Sequence, residues 1–168
     1  MKELESMPKP GLCDNGFGST WLGNLVAKLG GDPTKIYCRG EWTYMHYTDG
    51  ELTIDIESAW DEPKEVRQFL EEQFPDISIF YQCEEPGNCI FTTNDPTGDY
   101  FPDRYYLWDE IAMDNDYFGS LEALLKAVEE KTGSKHITTF KAAEKAMATY
   151  SRKNDGSSYD IQEFEYCE

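Results

Sequence analysis

The chain has 168 residues, the length of one domain or of one domain with a small extension, and 14% of the residues are aromatic, which excludes an intrinsically disordered acidic tail. The 33 Asp and Glu against 15 Lys and Arg give a net charge of −18, which argues against direct binding to nucleic acid or an anionic membrane because phosphates need cations. The sequence shows no apolar leader and no run of 18 apolar residues, so we expect a cytoplasmic protein. Its five cysteines include no CxxC pair, so we expect reduced thiols.

The beginning of the chain predicts an irregular segment followed by a helix. Residues 1–18 hold two prolines and three glycines, which favour irregular backbone. The helix begins at Ser19 or Thr20, carries apolar residues at helical spacing, and ends at Gly30. Gly23 inside it predicts close packing against another element, because an interior glycine costs about 1 kcal/mol relative to alanine.

Two hairpins separated by a helix are predicted in the middle of the chain. Asp49-Gly50 is a type I′ turn signal, because both central residues of that turn need positive φ, and it joins the first two strands. Asp61 caps the helix between the hairpins and Pro75 ends it. The four predicted strands are 42–47, 52–57, 77–83 and 89–93.

The last third of the chain predicts two helices. Ser120 caps the first, which ends at Gly133, and the second follows Thr138 or Thr139. The predicted strands in this part are a short one at 104–108 and a final one at 159–166.

The order of these elements predicts a single α+β domain over residues 19–168. Six of the predicted elements from residue 51 onwards, leaving aside the short strand 104–108 and the second C-terminal helix, follow the split β-α-β order, β-α-β-β-α-β. We therefore expect a ferredoxin-like core, in which helices cover one face of one antiparallel sheet, with an N-terminal helix and an extra C-terminal helix added to it.

One stretch of the chain carries landmarks of a known family, and these are Trp42, Ser58-Ala59-Trp60, Pro63, Phe74-Pro75, Tyr81 and Glu84-Glu85-Pro86-Gly87. With them the chain resembles the YubB-like ferredoxin-like domain family, whose members occur largely on plasmids, phages and other mobile elements and have no established activity. The resemblance covers about 50 residues and rests on aromatic, proline and glycine positions. It implies the ferredoxin-like fold and a mobile-element protein, and it carries over no catalytic residue.

Negative charge is concentrated in the middle third of the sequence. Residues 61–116 carry 15 acids and 3 bases, and between residues 84 and 116 nine acids accompany one base, Arg104. Since gathering like charge costs self-repulsion, we expect a non-enzymatic module that binds a basic protein partner, with mimicry of DNA charge toward a nucleic-acid-binding protein as one version. A solvated acidic surface without a partner is the competing interpretation. The candidate partner-binding residues are Glu84, Glu85, Asp95, Asp99, Asp103, Asp109, Glu110, Asp114 and Asp116.

Spacing gives little support to a metal, a cofactor or a catalytic residue, and we expect none of the three. Asp95, Asp99 and Asp103 are evenly spaced oxygen donors, but the acids of this region do not fit the EF-hand pattern. Cys83 and Cys89 are separated by five residues, outside the usual spacing of a zinc-binding pair. The sequence leaves the oligomeric state open. The alternative function is an enzyme or small-ligand binder with a pocket lined by Trp42, Tyr44, His46 and Cys83.

Overall fold

The computed structural model describes residues 18–154 and 158–167, so the predicted irregular segment 1–18 lies, except for Gly18, outside the described residues. The chain divides into two compact units, Met1–Ile79 and Phe80–Glu168. The described residues form four α-helices and eight strands in three small, mostly antiparallel sheets, which confirms the α+β class. Within those residues no helix is both long and apolar enough to cross a membrane.

The N-terminal unit combines one hairpin with two helices. Its elements in chain order are α1 (Leu22–Lys28), β1 (Gly40–Thr48), β2 (Glu51–Ser58) and α2 (Lys64–Gln73). The turn between the strands has the predicted type I′ character, since Asp49 (φ 48°) and Gly50 (φ 91°) both adopt positive φ. The core of this unit consists of Trp21, Leu22, Val26, Cys38, Trp42 and Val66.

The glycine inside α1 is explained by a neighbour in sequence. A Cβ on Gly23 would lie 2.2 Å from the Cη2 atom of Trp21, whose indole ring folds over the glycine and is itself buried. The predicted close packing is therefore present, but its partner is the residue before the helix and not another helix or strand.

The predicted cap of α2 is displaced. Pro63 occupies the N-cap position and no side chain caps the helix, because Asp61 Oδ1 accepts the N–H of Glu62 at 2.7 Å, before the helix begins. The helix ends at Gln73, two residues before Pro75, as predicted.

The C-terminal unit holds the remaining strands and helices. Its elements are β3 (Gln82–Glu85), a 3₁₀ turn (Pro86–Asn88), β4 (Ile90–Thr93), β5 (Tyr105–Asp109), β6 (Asp114–Phe118), α3 (Leu121–Thr132), α4 (Phe140–Lys153), β7 (Tyr159–Glu163) and β8 (Glu165–Tyr166). Strand order is β3-β4-β8 in one sheet and β6-β5-β7 in the other, with β4 and β8 parallel and the other pairs antiparallel.

The two helices of this unit are bounded as the sequence predicts. Ser120 Oγ accepts the N–H of Ala123 at 3.2 Å, and Thr139 caps α4 in the same way through the N–H of Ala142. Gly133 ends α3 with φ 68°. Both helices pack on one face of the β6-β5-β7 sheet, where the core residues are Leu107, Leu124, Leu125, Val128, Ala143, Met147 and Ile161.

The predicted single sheet is replaced by three, so the ferredoxin-like core is not shown. Strand β2 is paired with β1 alone. The predicted strand 77–83 begins only at Gln82, because the side chain of Asn94 takes the N–H of Tyr81 at 2.7 Å. The predicted strand 159–166 is divided at Phe164 between the two sheets of the C-terminal unit.

Candidate functional site

The nine acids predicted to bind a partner are spread over several elements of the C-terminal unit. Glu84 and Glu85 lie on β3, Asp109 on β5, Asp114 and Asp116 on β6, and the others in connecting segments. Two of the nine, Asp95 and Asp109, are buried, with 0% and 5% of their surface exposed. These two side chains are held inside the unit, so we leave them out of any partner surface.

Asp95 organises the loop between β4 and β5. Its Oδ1 accepts the N–H of Gly98 at 3.0 Å and of Thr97 at 3.3 Å. Its Oδ2 accepts the N–H of Tyr100 and of Phe101, both at 2.9 Å. Burial raises the pKa of this carboxyl, but the four backbone N–H groups have the larger, opposite effect and lower the pKa to about 2. Asp95 is a charged hydrogen-bond acceptor inside a folded loop, which is a structural role.

Asp109 is held by an ion pair. Its Oδ2 lies 2.5 Å from Nζ of Lys131 on α3, and its Oδ1 accepts the N–H of Ile111 at 3.0 Å. Burial raises the pKa of Asp109, but the hydrogen bond from Lys131 and the backbone N–H groups lower it below its ordinary value. This pair connects the end of β5 to α3.

The exposed acids on β6 and β3 lie on opposite sides of the β6-β5-β7 sheet. Asp116 is paired with Leu107, which faces the helices, whereas its neighbour Tyr117 is paired with Tyr106 on the other face. Glu84 belongs to that other face, since its Oε2 accepts the hydroxyl of Tyr117 at 2.9 Å. Burial, and then the Glu84 carboxylate, raise the pKa of Tyr117. Asp116 and Glu84 therefore do not lie on one face.

A second group of acids, outside the predicted set, lines a groove beside β7. The groove has a volume of about 390 Å³, and Phe140 and Glu144 of α4 form one wall. Strand β7 and the first residue of β8 form the other. We call this the β7 groove. Its lining contains no Lys or Arg, and its four carboxylates are Glu144, Asp160, Glu163 and Glu165.

Hydrogen bonds position two of these carboxylates. The hydroxyl of Tyr105 donates to Glu163 Oε1 at 3.1 Å, and Gln162 Nε2 donates to Asp160 Oδ1 at 2.7 Å. Burial, and then the charge of Glu163, raise the pKa of Tyr105. None of the four groove acids forms an ion pair with a residue in the described part of the chain.

Sequence reasoning missed the β7 groove because it ranked segments by net charge. Residues 117–168 carry nine acids and seven bases, and this near balance concealed the groove. The bases Lys126, Lys131 and Lys145 lie on the helices, while the strand residues 159–166 carry three acids and no base. Charge counted per predicted strand, instead of per third of the chain, would have indicated it.

Three residues of the alternative pocket, Trp42, Tyr44 and His46, lie on β1 and do not share one face of that strand. Trp42 is paired with Ile56, but Tyr44 is paired with Asp55, so the intervening residue forms a β-bulge. The bulge reverses the alternation of side chains. Trp42 is 3% exposed in the core, whereas Tyr44 is 50% exposed and stacks against His46 with ring centroids 6.2 Å apart. Trp42 therefore does not share a pocket with Tyr44 and His46.

Residues 18–154 and 158–167 contain no group of three or more His, Cys, Asp or Glu side chains placed to hold a metal ion. Within these ranges Cys38, Cys83, Cys89 and Cys167 form no disulfide with one another. Comparison of the chain with protein-family models, with curated proteins and with solved structures found no match.

Proposed function

We propose that this protein is a non-enzymatic interaction module that binds a basic protein partner through the β7 groove. The observation that supports the proposal is the lining of the groove, in which four carboxylates occur with no basic side chain. Charged groups of one sign in a concave site attract ligands of the opposite sign and raise their association rate. The net charge of −18 adds a long-range attraction for any basic partner.

A basic protein segment is a better fit to this groove than the DNA-binding surface that a DNA-charge mimic would occupy. A mimic needs a long exposed row of negative charges, whereas Asp95 and Asp109 are buried and Asp116 lies across the sheet from Glu84. The β7 groove is short and enclosed by one helix and one strand, which suits a narrow chain with Lys or Arg side chains. Mimicry remains a special case, in which the basic segment belongs to a nucleic-acid-binding protein of the host of a mobile element.

The experiment is a binding titration with a basic probe peptide and two matched double variants. The probe is the decapeptide (Lys-Val)5, titrated by calorimetry at low and at high salt. Glu144→Gln with Glu163→Gln removes two charges from the groove, and Asp114→Asn with Asp116→Asn removes two charges from β6. We expect the groove variant to bind about tenfold more weakly, since each lost ion pair is worth about 0.2–1 kcal/mol.

The control and the salt series define what would contradict the proposal. The β6 variant has the same net charge as the groove variant and should bind within about twofold of wild type. Raising the salt from about 0.02 M to about 0.5 M should weaken binding to the wild-type protein strongly, because screening shortens the range of the attraction. Equal loss in both variants, or no binding at low salt, would show that the groove is not the binding surface.

A further inference from the structure

Strand β7 is at the edge of its sheet. The strand order β6-β5-β7 gives it one neighbour, β5. In an antiparallel pair, residues alternate between those whose N–H and C=O both bond to the neighbour and those whose groups point away from it. An edge strand therefore presents a row of unpaired donors and acceptors at every second residue.

Two hydrogen bonds that flank β7 identify which residues point outward. Phe164 donates its N–H to the carbonyl of Arg104 at 2.9 Å, and Glu110 donates its N–H to the carbonyl of Ser158 at 3.2 Å. Both pairs continue the register in which Trp108 lies opposite residue 160. The backbone N–H and C=O groups of even-numbered residues of β7 thus point toward β5, and those of odd-numbered residues point away from it.

The outward residues are Tyr159, Ile161 and Glu163. In the part of the chain that the structure describes, the N–H and C=O groups that they direct away from β5 make no hydrogen bond. The same three residues and their neighbours line the β7 groove. The groove therefore offers carboxylates along its walls and an open backbone ladder along its length.

We propose that a Lys- or Arg-rich segment of the partner binds in the β7 groove as an added β-strand, paired with the outward backbone of β7. This inference rests on the proposed function and gives its mode of binding. Backbone hydrogen bonds to the edge supply affinity, and side chains at alternate positions supply specificity. In the added strand, residues facing the helices meet Glu144 and Glu163, and residues on the opposite face meet Asp160.

Charge selects this occupant over a second copy of the chain. Two copies paired through β7 would bring Asp160 and Glu163 of one strand close to the same acids of the other, and like charges on paired strands are unfavourable. A basic strand places cations at these positions instead. The acids also keep the edge from pairing with itself, which is how natural proteins protect edge strands.

The first test compares two peptides of equal charge. One is (Lys-Val)5, and the other is the same peptide N-methylated at every peptide bond, which removes the backbone donors on both edges. We expect the methylated peptide to bind at least tenfold more weakly. If the two bind equally, strand addition is refuted while the proposed function stands. If neither binds at low salt, the proposed function itself fails.

The second test measures amide hydrogen exchange in the complex with (Lys-Val)5. The outward amides of Ile161 and Glu163 should exchange at least tenfold more slowly than in the free protein. The inward amide of Gln162, which already bonds to β5, should change little. Unchanged exchange at Ile161 and Glu163 in the saturated complex would overturn the inference.

Two substitutions at one position separate charge from backbone. Glu163→Gln removes the carboxylate and keeps the N–H, whereas Glu163→Pro removes both. Because the N–H of Glu163 points away from β5, the proline breaks no hydrogen bond between β7 and β5. We expect Glu163→Pro to weaken binding at least fivefold more than Glu163→Gln, and equal losses would contradict strand addition. If Glu163→Pro lowers the stability of the fold, the methylated peptide still decides the question.

Discussion

Replacing Asp95 with Asn tests whether a buried charge organises the C-terminal unit. Each oxygen of the carboxylate accepts two backbone N–H groups, those of Thr97 and Gly98 on one and those of Tyr100 and Phe101 on the other. Asparagine keeps one oxygen and replaces the other with an NH₂ group, which would point its donors at two N–H donors. Two charge-assisted hydrogen bonds are lost, each worth about 1.5–3 kcal/mol. We therefore expect the free energy of unfolding to fall by about 3–6 kcal/mol at pH 7.

The pH dependence of this difference gives an independent prediction. The pKa of Asp95 is about 2 in the folded protein against an ordinary value of 3.8. At about 1.36 kcal/mol per pH unit, this interval corresponds to about 2.5 kcal/mol of stability. Between pH 4 and pH 2 the unfolded state binds more protons than the folded state, so this contribution is complete above pH 4 and is lost as the pH falls toward 2.

The assay must observe the C-terminal unit by itself, because the chain divides into two compact units. Urea unfolding followed through the amide cross-peaks of residues 82–154 does this, for wild type and Asp95→Asn, at several pH values from 2 to 7. The difference in the free energy of unfolding between the two proteins should narrow by about 2 kcal/mol as the pH falls from 5 to 2. A gap that stays constant over this range, or a loss below about 1 kcal/mol at pH 7, would refute the assignment of the charge.

Two further substitutions test the interior of each unit. Lys131→Met leaves the carboxylate of Asp109 buried without its cation and should lower the free energy of unfolding by about 2–3 kcal/mol, less than for a fully buried pair because Lys131 is partly exposed. Urea unfolding measures this loss, and Lys131→Arg is the control that keeps the charge. A loss below about 0.5 kcal/mol would contradict the prediction. Gly23→Ala places a methyl group 2.2 Å from the ring of Trp21 and should lower the stability of the N-terminal unit by about 1–3 kcal/mol. The measurement is the shift of the unfolding midpoint of that unit. An unchanged midpoint would contradict the prediction and show that the indole moves aside without cost.

Local signals in the sequence predicted local structure well. The Asp49-Gly50 turn, the Ser120 cap and the Gly133 helix end all depend on one or two residues and their own backbone angles, and all three are observed. Strand β6 was missed because Asp114-Asn115-Asp116 has low β-propensity, and this segment is a strand through its pairing with β5. Propensity carries no information about such a neighbour.

Sheet membership was predicted less well, because it depends on contacts between distant residues. Nothing in the residues 159–166 indicates that the strand changes sheets at Phe164, whose ring packs edge-on against Phe91 at 5.3 Å. The position of the acids had the same difficulty. A count along the sequence treats the buried Asp95 and the groove residue Glu163 alike, although the fold gives them different surroundings.

The acids of this chain are better compared by what compensates them than by how densely they occur. Asp95 is compensated by four backbone N–H groups and Asp109 by Lys131, so a partner would gain little from either. In the described ranges, the four carboxylates of the β7 groove form no ion pair. A basic strand seated there would add the ion pairs that the fold leaves out and would complete the backbone ladder of β7 in the same step. A partner gains most binding energy where uncompensated carboxylates and unpaired backbone groups lie together, and in this unit they lie together at the β7 groove.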